Sequence, residues 1–359
     1  MTVKTPPRPL RSRPRVSVVI PCYNYGHFLA DCLRTVLDQP GVEMDVLIVD
    51  DASPDGSAAV ARQLAEADPR VRLLAHETNK GHIATYNEGL AAAEGDYVVL
   101  LSADDVVVPG ALAQSAALME HNPGVGMVYG FAPTFVDVPR PARTQARSWT
   151  VWEGADWLAK VSRRGGNPIA TPEVMLRTSL MRELGGYDPQ LPHSADFLLW
   201  LRAAARAQVG RVNGADLAFY RVHGGNMHSS QFAGVLTDLS ERWKAFEAFF
   251  AGDGALVPGS PALRAAAARA VAREALVTVR QAYENGSPAE NAAELVALAE
   301  RVDPTVRETR LFAHCSRLPG RSRGPLIPAP VTAAVDKAIF HARWRRWRHT
   351  GVLGAVRSL

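Results

Sequence analysis

The stretch Leu100-Leu101-Ser102-Ala103-Asp104-Asp105 decides the fold of this chain. It completes a short, branched apolar run that begins at Tyr97, which is typical of a strand buried in a parallel sheet. Open α/β sheets bind ligands outside the carboxyl ends of their strands, where these two adjacent carboxylates would lie. The two carboxylates could hold a divalent cation against a phosphate. Alternatively, they could cap the next helix, because Pro109 suits the first turn of a helix.

Apolar runs alternate with amphipathic helical patterns from Val16 to about Phe131. This alternation predicts an α/β domain with a wound, mostly parallel sheet flanked by helices. The predicted strands are Val16–Ile20, Val46–Val49, Val71–Leu74 and Tyr97–Leu101. The predicted helices are His27–Gln39, one that contains Val60 and Leu64, and Ile83–Ala93.

Polar residues follow the first two strands, at the same edge of the predicted sheet as the aspartate pair. Tyr23 and Tyr25 follow the first strand, and their rings could stack on a base or cover the sheet edge. Asp50 and Asp51 follow the second, where a carboxylate can accept hydrogen bonds from a base imide or a ribose hydroxyl, or form an Asx turn. No G-x-G-x-x-G sequence or P-loop follows the first strand, which argues against a dinucleotide-binding protein and a P-loop nucleoside triphosphatase.

Four motifs occur in a fixed order along this region. They are Val16-Ser-Val-Val-Ile-Pro-Cys-Tyr-Asn24, Val49-Asp-Asp-Ala-Ser53, Asn79-Lys-Gly81 with Tyr86-Asn-Glu-Gly-Leu90, and Leu101-Ser-Ala-Asp-Asp105. Together they resemble the family 2 glycosyltransferases of the GT-A fold, and the resemblance extends to about residue 235. It implies an inverting enzyme that moves a sugar from a nucleoside-diphosphate sugar to an acceptor hydroxyl. The implied cofactor is Mg²⁺ or Mn²⁺, and the acceptor would be a glycan (as in polysaccharide biosynthesis), a glycolipid or a secondary metabolite.

The resemblance also assigns residues to the nucleotide-sugar site. These are Pro21, Tyr23, Asn24, Asp50, Asp51, Gly81, Asn87 and Asp104. Asp104 would also meet the metal on the diphosphate, with Asp105 in support. The sequence departs from the family pattern at Ser102, where the family often has the first aspartate of Asp-x-Asp. A hydroxyl there could still hold a metal-bound water, and Mg²⁺ commonly binds through only one or two carboxylates.

A later segment supplies the predicted base. Asp196 precedes a helical pattern, where an aspartate can serve as a helix cap. The resemblance instead identifies Asp196 as the catalytic base, because Leu199-Trp200-Leu201-Arg202 matches the motif that follows it in the family. Ala195 replaces the family's glutamate, and Arg202 is a supporting residue.

The segment Phe219-Tyr220-Arg221-Val222-His223 is similar to a Tyr-Arg-x-His segment of related enzymes. That similarity assigns His223 to the metal or the diphosphate, with Arg221 in support, whereas a lone histidine on a strand is more often structural. Residues 136–166 form a polar stretch with arginine and tryptophan to which no element is assigned.

Composition bounds the class of protein. Of 359 residues, 47% are hydrophobic, which suffices for one large domain and a smaller one. Three cysteines without metal-ligand spacing predict reduced thiols in a cytoplasmic protein. No apolar run is long enough to predict a transmembrane helix. Residues 1–15 carry five basic and no acidic residues and are predicted to be a disordered basic arm.

Residues 16–235 are therefore assigned to the GT-A domain and residues 236–359 to a helical accessory region with a basic C-terminal helix. Helical patterns cover 241–250, 261–283 and 288–301. The last helix carries Phe340, Trp344 and Trp347 among arginines. It suits either packing on the catalytic domain or peripheral contact with an anionic membrane at its inner face. Basic ends on an acidic body point to such a surface and not to nucleic acid, with a solvated tail as the alternative.

Two other interpretations stay open. A sugar nucleotidyltransferase would have a glycine-rich, basic loop after the first strand, which Pro21-Cys22-Tyr23-Asn24 does not resemble. A sugar-nucleotide-binding module without catalysis is compatible with the departures at Ser102 and Ala195. Turnover of the donor distinguishes that module from an enzyme.

Overall fold

The computed structural model describes residues 2–226, 234–284 and 291–318, together with Ala338. The chain forms two compact units. The first contains Met1–Trp157 and Ile169–Asn226, and the second contains Leu158–Pro168 and the described residues from Gly234 onward. The sequence did not reveal that Leu158–Pro168, within the predicted GT-A domain, belongs to the second unit.

The first unit contains the β-strands. In chain order they are β1 Thr2–Thr5, β2 Arg15–Cys22, β3 Glu43–Asp50, β4 Val71–Ala75, β5 Tyr97–Leu100, β6 Val106–Val107, β7 Val125–Tyr129, β8 Thr134–Phe135, β9 Ser148–Trp152, β10 Met175–Arg177, β11 Gln208–Asn213 and β12 Ala218–Arg221. The helices up to residue 206 are α1 Gly26–Leu37, α2 Ser57–Ala67, α3 His82–Ala91, α4 Ala111–His121, α5 Gly154–Arg164, α6 Thr178–Leu184 and α7 Ala195–Arg206. A short 3-10 helix covers Thr171–Glu173.

The strands form two sheets. The larger is mixed, with the order β1-β9-β11-β7-β10-β5-β2-β3-β4, and the smaller has the order β6-β12-β8. Strands β5, β2, β3 and β4 are parallel neighbours, as are β7 and β11, whereas β10 pairs antiparallel on both sides. The predicted α/β architecture, a wound sheet flanked by helices and followed by a helical region, is confirmed.

Helices cover both faces of the parallel half of the sheet. On one face, Val18 and Ile20 of β2 share a hydrophobic core with Leu29 of α1. On the other face, a Cβ at Gly89 would lie 2.4 Å from the Cγ1 of Val19. Because glycine has no side chain, α3 approaches the sheet closely, and its first turn lies beside the strand ends that carry the predicted site.

The N-terminal segment corrects an expectation. Residues 1–15 were expected to be disordered, but β1 pairs antiparallel with β9, with Thr2 opposite Trp152. Farther along, the backbone N–H of Arg11 donates to the Oε2 of Glu120 at 2.7 Å. The prolines and basic residues indicated disorder, whereas a strand can complete a sheet edge through its backbone without a hydrophobic side-chain pattern.

The second unit is helical. Its helices beyond residue 234 are α8 Val235–Ala251, α9 Ser260–Glu284, α10 Ala292–Val302 and α11 Arg310–Cys315, with 3-10 helices at Asp253–Leu256 and Pro304–Glu308. Buried side chains such as Phe246, Leu276 and Leu298 form its interior. The predicted basic helix with Phe340, Trp344 and Trp347 lies outside the described residues. In the ranges that the structure describes, no helix combines the length and the apolar character needed to cross a bilayer.

Candidate active site

The candidate site lies at the carboxyl ends of β2, β3 and β5, which are parallel neighbours. Two loop residues there have left-handed backbones, Asn24 with a φ of 61° and Ala52 with a φ of 56°. Residues other than glycine rarely adopt this conformation, and they concentrate at functional sites when they do. The backbone N–H of Asn24 donates to the Oγ of Ser53 at 3.1 Å, so the loops after β2 and β3 support each other.

Asp50 and Asn24 each present a buried acceptor oxygen at this edge. Only 1% of Asp50 is exposed, and its Oδ2 accepts the backbone N–H of Ser53 at 3.1 Å. The Oδ1 atoms of Asp50 and Asn24 are buried without a hydrogen-bond partner among the described residues. Unpaired buried acceptors are costly, so both oxygens suit a ligand that donates N–H or O–H groups.

Asp51, the neighbour of Asp50, is used within the protein. Its Oδ1 accepts the N–H of Lys80 at 2.8 Å and its Oδ2 accepts the N–H of Gly81 at 2.9 Å, while His76 Nδ1 lies 2.8 Å from Oδ1. Burial by itself would raise the pKa of Asp51, but these hydrogen bonds hold it below its ordinary value. Asp51 thus shapes the loop before α3, and its contact with the donor stays a prediction.

Asp104 and Asp105 form the second aspartate pair. The Oδ2 of Asp104 lies 3.0 Å from the Nε2 of His223 and accepts the Nδ2 of Asn226 at 3.4 Å. The Oδ1 of Asp105 accepts the backbone N–H of Arg221 at 2.9 Å. The other carboxylate oxygen of each aspartate is buried and has no hydrogen-bond partner within the described part of the chain. Burial raises the pKa of both carboxyls, and the charge of Asp104 raises that of Asp105 further.

Arg221 supports this pair from β12. Its guanidinium lies between two rings, 4.5 Å from the centroid of Phe28 and 4.4 Å from that of Phe135. Its Nε donates to the carbonyl oxygen of Asp104 at 2.8 Å. The side chain therefore fixes the backbone of the aspartate pair, as the prediction of a supporting residue expects.

The position of His223 is fixed by the turn that follows it. Its Nδ1 accepts the backbone N–H of Gly225 at 3.1 Å, and the hydroxyl of Tyr25 donates to the carbonyl of Gly225 at 3.0 Å. With Nδ1 as acceptor, a neutral His223 carries its proton on Nε2, which faces Asp104. His223 thus lies beside Asp104 with its ring hydrogen-bonded to the carboxylate, and its contact with the metal or the diphosphate stays a prediction.

The aspartate pair fits a divalent cation. Both carboxyls are buried, and burial disfavours their charged forms. Each also has one oxygen without a hydrogen-bond partner among the described residues. A cation there would favour both charges. In the described ranges, no group of three or more His, Cys, Asp or Glu side chains could by itself hold a metal ion. Mg²⁺ usually binds through one or two carboxylates and takes its remaining ligands from substrate phosphates and waters, so this donor set still fits.

The remaining donor-binding predictions fall at the same edge. Tyr23 is 45% exposed, which leaves its ring accessible for stacking. Pro21 is buried inside β2 opposite Val49. Gly81 directly precedes α3, and Ser102 accepts the N–H of Asp105 with its carbonyl at 3.0 Å.

Asp196 is the second residue of α7 and is half-buried. Its Oδ1 accepts the backbone N–H of Phe197 at 2.6 Å. Burial raises the pKa of Tyr86, and the charges of Asp104 and Asp196 both raise it further. The pKa of Tyr220 is raised by burial and then by Asp105, Asp104, Tyr25 and Asp196. Asp104 and Asp196 therefore both raise the pKa of Tyr86 and of Tyr220.

The structure changes the interpretation of Asn87. The sequence predicts a donor contact, but its Nδ2 donates to the carbonyl of Tyr187 at 2.8 Å and its Oδ1 accepts the N–H of Tyr187 at 2.7 Å. Arg202 acts on the same loop, because its Nη2 donates to the carbonyl of Leu184 at 2.6 Å. Both side chains therefore act within the protein.

Three residues near the site were not predicted. Tyr86 and Tyr220 are the phenols that respond to both sets of aspartates, and Asn226 contacts Asp104. All three occur inside or beside the quoted motifs, so the signal was present in the sequence. Their side-chain directions follow from the packing of α3 and β12, which the sequence pattern does not give.

Solved structures identify the fold. TarS of S. aureus, solved in complex with UDP-GlcNAc, matches with a TM-score of 0.59 and 13% identity, over 91% of this chain and 92% of TarS. The mannosyltransferase PcManGT of Pyrobaculum calidifontis, solved with GDP-Man and Mn²⁺, matches with a TM-score of 0.52 and 19% identity, over 93% of this chain and 90% of that one. At these identities the likeness shows the fold, which is the GT-A fold of nucleotide-sugar transferases.

Sequence relatives define the family. The family described as Glycosyl transferase family 2 matches residues 17–182. EpsE of Bacillus subtilis, which carries a provisional glycosyltransferase name, is 30% identical over 54% of this chain and 68% of its own length. The chain belongs to glycosyltransferase family 2. It spans 64%, 67% and 68% of the length of three curated relatives that it matches over more than half of its own.

Proposed function

We propose that this chain is an inverting glycosyltransferase that moves a sugar from a nucleoside-diphosphate sugar to an acceptor hydroxyl, with Asp196 as the general base. The observation that carries the proposal is the set of buried acceptor oxygens without described partners, which follow three parallel strands. They are Asn24 Oδ1, Asp50 Oδ1, Asp104 Oδ1 and Asp105 Oδ2. Their order along the sheet edge suits a ligand with N–H and O–H donors at one end and a cation-bound diphosphate at the other.

The donor is bound in two parts. Asp50 and Asn24 accept hydrogen bonds from the base or the ribose, and the exposed ring of Tyr23 stacks on the base. Asp104, with Asp105 and His223 beside it, would hold a divalent ion that also binds the diphosphate. When bound, that ion stabilises the negative charge that the leaving diphosphate acquires. The Mn²⁺ and GDP-Man of PcManGT support this arrangement.

Asp196 acts on the acceptor. Its carboxylate takes the proton of the acceptor hydroxyl as that oxygen attacks the anomeric carbon. The carbon–oxygen bond to the diphosphate breaks at the same time, and the nucleoside diphosphate leaves from the opposite face with the electron pair of that bond. A single displacement inverts the anomeric configuration.

The test is a panel of UDP- and GDP-sugars, including UDP-GlcNAc and GDP-Man, with Mg²⁺ or Mn²⁺. Release of nucleoside diphosphate is measured with and without acceptor sugars. We expect Asp196→Asn to bind the donor like the wild type, as judged by calorimetry, while turnover falls about 100- to 10,000-fold, because general-base catalysis contributes that much. Asp31→Asn, on the exposed surface of α1, is the matched control and should change neither donor binding nor turnover.

Two results would contradict the proposal. Near wild-type transfer by Asp196→Asn would reject the base assignment. Donor binding without turnover by the wild type, with every donor and metal in the panel, would favour a sugar-nucleotide-binding module, to which the departures at Ser102 and Ala195 point.

A further inference from the structure

The loop Gly185–Tyr187 follows α6 and contacts two other helices. One is α3, which begins beside the donor site, and the other is α7, which carries Asp196. From α3, the amide of Asn87 makes hydrogen bonds of 2.8 Å and 2.7 Å to the carbonyl and the N–H of Tyr187. A side chain that satisfies both backbone groups of one residue fixes its position and its orientation.

Two glycines in the loop allow this contact. Gly185 and Gly186 have left-handed φ values of 73° and 88°, a conformation that side chains other than glycine rarely adopt. A Cβ at Gly186 would lie 2.4 Å from the Oδ1 of Asn87 and 3.0 Å from its Cγ. Position 186 therefore excludes a side chain on account of both its backbone and its neighbour.

Arg202 holds the same loop from α7. Its Nη2 donates to the carbonyl of Leu184 at 2.6 Å and its Nη1 to the carbonyl of Gly186 at 3.3 Å. Arg202 and Asp196 lie on one continuous helix, Ala195–Arg206, so the loop fixed by Arg202 also fixes the helix that presents Asp196.

Side-chain packing adds to these hydrogen bonds. The ring of Tyr187 meets Tyr86 of α3 edge-on at 5.6 Å and Trp200 of α7 at 6.5 Å. The Nε2 of His82, in the first turn of α3, lies 3.2 Å from the carbonyl of Pro192. The segment between Tyr187 and Asp196 thus contacts α3 at two points, Tyr187 and Pro192.

We propose that Asn87 and Arg202 are positioning residues that set the distance between the donor and the base by holding the Gly185–Tyr187 loop between α3 and α7. The proposal rests on the function proposed above. It gives Asn87 a role in placing the carboxylate of Asp196 in place of a role in binding the donor. A displacement of about 1 Å at a reacting group can cost about 100-fold in rate, so a loosened loop should slow transfer.

Kinetics of Asn87→Ala, Arg202→Ala and the double variant test this proposal. We expect each single variant to lower kcat about 10- to 100-fold and to leave the KM for the donor within about 2-fold. The double variant should be nearly as slow as the slower single one, because both act on one loop. Asn87→Asp keeps the acceptor for the N–H of Tyr187 and should lie between the wild type and Asn87→Ala. It also tests the proposal if Asn87→Ala does not fold.

A matched control and a second readout complete the design. Asn122→Ala removes an amide hydrogen bond of 2.8 Å to the carbonyl of Leu118 at the end of α4, and it should change neither kcat nor KM. Hydrogen exchange of residues 185–196 should become faster in Asn87→Ala and Arg202→Ala and stay unchanged in Asn122→Ala.

The outcomes separate this inference from the proposed function. A raised donor KM with an unchanged kcat would return Asn87 to donor binding and overturn the inference, as would additive losses in the double variant. If the wild type transfers no sugar, the proposed function fails, and the exchange data still decide whether the two side chains hold the loop. Unchanged exchange in both variants would reject the inference whatever the activity.

Discussion

The same dipeptide, Asp-Asp, follows two of the parallel strands, and the protein treats the two copies differently. After β3, Asp51 is surrounded by N–H donors from Lys80 and Gly81, and its pKa is lowered. After β5, Asp104 and Asp105 are buried against each other, and their pKa values are raised. The protein stabilises the charge of Asp51, whereas burial disfavours the charges of Asp104 and Asp105.

This difference separates a structural carboxylate from one that suits a cation. Hydrogen bonds to an ionised carboxylate stabilise the fold and occupy its oxygens. Buried oxygens without such bonds destabilise the fold, and a bound cation can offset that destabilisation. Adjacent aspartates at a strand end are thus informative only once the donors around each oxygen are known.

The largest expected effect comes from removing the charge of Asp104. Asp104→Asn should lower the transfer rate about 100- to 1,000-fold, because it weakens the stabilisation of the leaving diphosphate. Initial rates are measured with saturating donor and Mn²⁺. Asp51→Asn is the matched control and should keep at least about a tenth of the activity, since Asp51 acts through the loop. Equal losses in the two variants would remove the distinction between the pairs.

A smaller effect concerns stability and its dependence on pH. The lowered pKa of Asp51 means that its stabilisation is present above the ordinary carboxyl pKa and is lost as the pH falls through the lowered value. Asp51→Asn should therefore lower the unfolding free energy at pH 7 and have progressively less effect at acidic pH.

Asp105 should show the opposite sign. Its pKa is raised in the folded protein, so the wild type loses stability as the pH rises from the ordinary carboxyl range through the raised value. The side chain in Asp105→Asn is neutral at every pH, so the stability of this variant relative to the wild type should increase as the pH rises. Melting temperatures between about pH 3.5 and pH 8 in EDTA measure both variants. Differences that run in the same direction would contradict the opposite electrostatics of the two pairs.

The smallest expected effect comes from adding charge to the second pair. Ser102→Asp adds a third carboxylate to the loop that carries Asp104 and Asp105. We expect the Mn²⁺ concentration for half-maximal activity to fall about 5-fold, or about 1 kcal/mol. Ser102→Ala, the control, should not tighten Mn²⁺ binding. An unchanged midpoint in Ser102→Asp would mean that position 102 faces away from the cation.

Much of this fold could be predicted because each element has a local signal. The run Tyr97–Leu101 and the pattern over Ile83–Ala93 match β5 and α3 to within about two residues, the usual uncertainty of element ends. The strands β1 and β9 are among those that were not predicted. Thr2–Thr5 has no apolar alternation, and Ser148–Trp152 lies in the stretch to which no element was assigned. Their pairing is a long-range property that neither segment encodes alone.

The candidate site was predictable to a similar degree. The carboxyl ends of parallel strands meet at one edge, so the sequence placed Asp50 and Asp104 at a shared site. It could not tell which oxygens the protein itself would occupy. The N–H that satisfies Asp105 comes from Arg221, 116 residues farther along. The amide of Asn87 meets Tyr187, 100 residues away. Such partners depend on the completed fold.

The pairing of β1 with β9 also bears on biosynthesis. Thr2 lies opposite Trp152, so roughly 150 residues must leave the ribosome before the first strand can meet its partner. Until then Ser148–Trp152, with its two tryptophans, has one hydrogen-bonding edge uncovered, and uncovered edges invite pairing between chains. Thr2–Thr5 is thus synthesised well before β9, and it can join the sheet only after β9 has been made.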